Sequence, residues 1–68
     1  MKYMICITSM DEHIIYASNV IIAQSLEDVH EYSSVMLREL AQQPDAPHGE
    51  DVKVMIYTYI QRQYPEFL

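Results

Sequence analysis

Side-chain chemistry needs a nucleophile, an acid–base pair or a set of metal ligands, and few residues of this chain qualify. Each of its three histidines stands beside carboxylates: His13 after Asp11-Glu12, His30 among Glu27, Asp28 and Glu31, and His48 near Asp45, Glu50 and Asp51. Such neighbours can in principle hold a divalent cation. None has the two-histidine spacing of a helical zinc site, and no calcium-loop pattern occurs. Glu27, His30 and Glu31 come closest, because they fall within one helical turn, yet a solvated acidic face accounts for them without a metal. No metal site is expected. The single cysteine, Cys6, lies between Ile5 and Ile7 with no base near it in sequence. A reactive thiolate needs an electropositive, partly open setting, so Cys6 reads as a small packing residue. One cysteine also excludes an intrachain disulfide and a Cys-pair zinc site. The one glycine, Gly49, excludes glycine-built phosphate cradles and dinucleotide turns. No catalytic pair emerges and no cofactor is implied. The chain reads as a non-enzyme.

Charge narrows the partners. Ten acids against four bases leave a formal net charge of −6 over 68 residues. Nucleic-acid sites cluster Lys and Arg against phosphates, whereas Lys2, Arg38, Lys53 and Arg62 are scattered, so direct nucleic-acid binding is not expected. No apolar run, Val20-Ile21-Ile22-Ala23 among them, approaches the ~20 residues that span a bilayer. Residues 1–7 carry one positive charge and no small-residue cleavage site before Asp11-Glu12, so neither a secretory signal nor a membrane role is expected. An unpaired thiol suits a reducing compartment, which makes the cytoplasm the expected location.

The elements that would position any site follow from periodicity. The apolar, β-branched stretch at residues 2–8 predicts a strand, and residues 13–23 predict a second, interrupted at Ser18-Asn19 by a bulge or kink. The turn between them has no glycine, which favours a loop of three to five residues over a tight primed turn. Ser25 is placed to cap a helix over residues 26–42, with Glu27 and Asp28 at its positive end. Leu26, Val29, Ser33, Met36, Leu37, Leu40 and Ala41 form its apolar stripe, while Glu27, Glu31, Ser34, Arg38 and Gln42 face away. Pro44 ends the helix, and a loop runs to Asp51. Residues 52–61 alternate as a third strand, followed by a tail at 62–68. The expected fold is a single α+β domain of ββαβ order. Its sheet is three-stranded and mainly antiparallel, in the order 2-1-3, because the least polar strand belongs at the centre. One amphipathic helix packs on one face. An order with strands two and three adjacent and parallel is the alternative.

A lone helix covers only one side of such a sheet. Tyr3, Ile5 and Ile7 with Val54, Ile56 and Ile60 match the helix stripe and make the core. Met4, Cys6 and Thr8 with Met55, Tyr57 and Tyr59 are left on the other side, and Tyr16 joins them if the second strand kinks in the right place. Met and Tyr are residues that interfaces enrich. The face measures roughly 300–350 Å², about the largest apolar patch an ordinary monomer shows. The alternative is that the tail, ending in Phe67-Leu68, folds back over it. The opposite side is charged: residues 27–51 hold seven acids and one base, a net of −6 equal to that of the whole chain. Such a field either steers the molecule toward a basic partner or only keeps it soluble.

In layout, a strand-loop-strand followed by Ser25-Leu26-Glu27-Asp28 and an amphipathic helix resembles small antitoxin and phage-inhibitor domains over roughly residues 2–42. It lacks the Gly-rich signature of HicB-type antitoxins, and no family is assigned. The expected function is a small acidic protein-binding module, a regulator or inhibitor that occupies a partner's surface, with phage or mobile-element coding as the suggested origin. Met4, Met55, Tyr57 and Tyr59 are its expected contact residues, and Glu27, Glu31 and Glu39 the second choice. Two alternatives are a homodimer or accessory subunit assembled through the sheet, and an acidic mimic of nucleic acid that blocks a nucleic-acid-binding protein.

Overall fold

The computed structural model describes residues 1–58. Within them, β1 (Lys2–Ser9) and β2 (Ile15–Ile22) form a hairpin, α1 (Leu26–Ala41) follows, a 3-10 turn covers Gly49–Asp51, and β3 (Val52–Thr58) closes the sheet. The order is β2-β1-β3 with both pairings antiparallel, as the central position of the least polar strand predicts. Tyr59 and Ile60, the far end of the expected third strand and the tail at 62–68 lie outside the described residues.

The helix begins where the capping argument puts it. Ser25 is extended, and its hydroxyl accepts the Asp28 amide at 3.3 Å. At the other end the Gln42 and Gln43 amides reach back to the Glu39 and Leu40 carbonyls before Pro44 stops the turn. Val29, Ser33, Met36 and Leu40 are buried, and Val29, Met36 and Leu40 form the core with Tyr3, Ile5 and Ile7 of β1 and with Ala23. Ser33 tolerates burial because its hydroxyl donates to the His30 carbonyl at 2.8 Å. Leu26 and Ala41, expected in the stripe, are exposed; they are the first and last residues of the helix. Val54 and Ile56 pack on the core from β3 and remain partly open, because β3 is an edge strand.

The bulge in β2 lies elsewhere than expected. Ser18 and Asn19 stay in register opposite Cys6 and Ile5, and the shift comes where Ile7 faces Ala17 but Thr8 faces Ile15. Tyr16 is therefore the extra residue. The bulge turns Tyr16 toward the helix side, where it packs on the core, and rotates Ile15 to the opposite face. With the kink at this position, Tyr16 does not join the uncovered layer.

Asn19 has a second role at the sheet edge. Met1 and Ala23 exchange both backbone hydrogen bonds, which fixes the alternation along the hairpin and points the Val20 amide away from β1. That amide donates to Asn19 Oδ1 at 2.9 Å, and Asn19 Nδ2 donates to the Tyr32 hydroxyl at 2.8 Å. One side chain thus closes an outward edge group and ties the edge to α1. Ile15–Ile22 contains neither a charge nor a proline, the usual guards of an edge strand. Asn19→Ala is expected to cost about 0.5–1.5 kcal/mol in urea denaturation. It should also make sedimentation equilibrium concentration-dependent, with Tyr32→Phe showing the weaker form of both effects.

Candidate functional site

The face of the sheet away from α1 is a shallow trough that runs along β1. Successive residues of a strand alternate between faces, so Met4, Cys6 and Thr8 form its floor. Across the ladder they stand beside Val20, Ser18 and Ile15 of β2 and beside Tyr57, Met55 and Lys53 of β3. Exposure rises from the central strand toward the two edges. Cys6 is 6% exposed, whereas Tyr57 is 45%, Val20 46% and Ile15 63% exposed. Met4, half-buried, fills one part of the floor, and the small Ser18 faces Cys6 on the β2 side. The Tyr57 hydroxyl donates to Met55 Sδ at 3.6 Å, which lays the ring along β3 and continues one wall.

A structured loop closes one end. The Ser9 hydroxyl donates to Asp11 Oδ1 at 2.6 Å and accepts the Ile14 amide, and the His13 amide also donates to Asp11 Oδ1. Glu12 adopts φ 65°, a left-handed conformation that costs a non-glycine residue roughly 1–2 kcal/mol. The conformation aims its carboxylate at Lys53 Nζ, 2.6 Å away, over the trough mouth. Both partners are partly solvated, so the pair positions the loop more than it stabilises the fold, at about 0–1 kcal/mol.

Within this loop the Ser9 hydroxyl and the His13 amide hold the Asp11 carboxyl below its ordinary value of 3.8, with Lys53 adding a smaller pull in the same direction. A depressed carboxyl pKa favours the folded state above the unfolded pKa, and that contribution disappears as pH falls through the folded pKa. Titration of the Asp11 side chain by carbonyl NMR is therefore expected to give a midpoint under 3.8. Ser9→Ala should return it upward.

Not all of the expected site residues come together. Met4, Met55 and Tyr57 share the trough, and Tyr59 lies outside the described residues. Glu27 and Glu31 project from the outer face of α1, on the opposite layer of the molecule. Glu39 separates from both. At 100° per residue it turns toward β2, where it lines a groove with Tyr16, Asn19, Tyr32 and Gln43. The three acids are thus not one patch. Sequence reasoning missed Ile15, Val20 and Ile22, which make the β2 wall, with Ile22 82% exposed. The alternation of Ser18, Val20 and Ile22 carries the signal, but it needs the β1 register to say which face it marks.

Among the described residues no group of three or more His, Cys, Asp or Glu could hold a metal ion. Cys6 is a buried free thiol on the trough floor, and the described residues leave no buried side-chain nitrogen or oxygen unsatisfied. No described helix is long and apolar enough to cross a membrane. The molecule belongs to the class of small α+β sheets with one helical layer. Comparison of the chain with family models, with curated proteins and with solved structures finds no match.

Proposed function

We propose that this protein is a non-catalytic, acidic protein-binding module that lays the open face of its sheet on a partner protein and regulates or inhibits that partner by occupancy. A cytoplasmic setting goes with this reading, since Cys6 is an unpaired thiol. One observation supports it above the others: the trough sets Met4, Met55 and Tyr57 beside the exposed Val20 and Ile15 in one apolar surface, with its charged pair confined to the rim. A continuous apolar patch with a polar edge is the anatomy of a binding face. The acids on α1 sit on the far layer, where they remain in solvent while the trough is covered. Their part is then long-range attraction of a basic partner and solubility.

Hydroxyl-radical footprinting of the complex isolated from the native host tests this reading, because Met and Tyr side chains report burial through their oxidation. Oxidation of Met4, Met55 and Tyr57 is expected to fall severalfold in the complex, with the outer face of α1 unchanged. Protection confined to the α1 face, with both methionines as reactive as in the free protein, would sink the proposal in favour of charge mimicry.

A further inference from the structure

Away from the open face, a groove of about 360 Å³ lies between β2 and α1. Going beyond the reading above and resting on none of it, we propose that this groove takes the guanidinium group of an arginine presented by a protein partner. Two aromatic side chains line it, and the fold holds both. The β2 bulge turns Tyr16 to this side, and Asn19 Nδ2 anchors the Tyr32 hydroxyl at 2.8 Å. Met36, 8% exposed, supplies an apolar base. Glu39 adds a carboxylate on the i, i+4, i+7 stripe of α1 that begins at Tyr32 and passes through Met36. Arg38, next along the helix, does not line the groove, nor does any lysine. Among the described residues no cation pairs with Glu39.

This composition selects the charge of the ligand. An anion would meet the Glu39 carboxylate with no base to offset it. A metal ion would find one carboxylate, and no group of three or more ligating side chains stands among the described residues. A wholly apolar group would cover that carboxylate without pairing it. An organic cation instead uses every part: its charge meets Glu39 and the faces of the tyrosine rings, and its aliphatic stem lies on Met36. Between the two cationic side chains, the planar guanidinium can stack on a ring while its edge N–H groups reach a carboxylate. A compact, strongly hydrated ammonium cannot do both. The volume is also that of a site for a group larger than a bare ion.

The test is an NMR titration of the full chain with arginine capped at both ends as N-acetylarginine amide. Capped lysine and capped citrulline, the uncharged analogue of arginine, serve as comparisons. Saturable shifts are expected at Tyr16, Asn19, Tyr32 and Glu39, with nuclear Overhauser contacts from the arginine side chain to the tyrosine rings. Affinity should fall about fivefold on Glu39→Gln and about threefold on Tyr16→Leu, which keeps an apolar side chain against the core. Circular dichroism checks the fold of both variants, and Glu39→Gln, at an exposed position, carries the test alone if Tyr16→Leu unfolds. Capped lysine should bind severalfold more weakly and capped citrulline not at all. Equal binding of lysine and arginine would overturn the guanidinium, and equal binding of citrulline would overturn the role of charge. Free arginine binding more tightly than the capped form would overturn the protein partner in favour of a small molecule. Shifts that never saturate, or that centre on Glu27 and Glu31, would overturn the site itself.

Discussion

Ile5→Ala is expected to remove about 2–5 kcal/mol of folding stability, and Ile22→Ala no more than about 0.5 kcal/mol. Both are strand isoleucines, and they differ only in what surrounds them. Ile5 is fully buried at the centre of β1, between Asn19 and Ile56 and beneath the Val29 layer of α1, whereas Ile22 is 82% exposed. Removing three carbons from Ile5 leaves a cavity that a two-layer core cannot collapse to fill. A domain of this size holds roughly 3–10 kcal/mol in all. The single change therefore takes a large share, and Ile5→Asp should leave the chain unfolded. Urea denaturation followed by circular dichroism reads both variants. An unchanged slope with a shifted midpoint identifies lost stability and not a changed denatured state. Equal losses at the two positions would contradict the layer assignment.

The double variant Met55→Ala/Tyr57→Ala is expected to weaken partner binding by about 100-fold, since two interface anchors at roughly 1–2 kcal/mol each sum to about 3 kcal/mol. Stability should fall by less than about 1 kcal/mol, because neither side chain is in the core: Met55 is half-buried and Tyr57 exposed. Glu27→Lys with Glu31→Lys should change affinity far less and act mainly through the association rate. That effect should shrink as salt is raised, because exposed charges are screened within ~8–10 Å. Titration calorimetry and stopped-flow kinetics on the purified complex separate the two contributions. The reverse ranking, with the charge variants abolishing binding and the trough variants neutral, would identify an acidic mimic. Sheet-face occupancy would then be wrong.

The fold was largely legible. A β-branched run too short for a helix, a serine followed by acids and a three–four apolar stripe, and an alternating third segment each have one inexpensive solution in backbone geometry. Burying the least polar strand then orders the sheet. The open face was half legible. Met4, Met55 and Tyr57 follow from parity along β1 and β3, because both strands alternate without interruption. The β2 wall does not follow, because one extra residue reverses the parity on either side of it. Ser18-Asn19 looked like the interruption on polarity alone. The pair is instead held in the ladder, and Asn19 serves the edge by bonding both Val20 and Tyr32.

By itself the sequence determined the ββαβ order, the cap at Ser25, the concentration of acid on residues 27–51 and the absence of a local catalytic pattern. These are properties of neighbours along the chain, set by side-chain period, capping chemistry and composition. Only the tertiary structure decided that the bulge falls at Tyr16, that Ile15, Val20 and Ile22 flank Met4 and Cys6, and that Glu39 turns away from Glu27 and Glu31. Those outcomes depend on register between strands and on how the helix rotates over them. Both are settled by which packing buries the most apolar surface across the whole molecule.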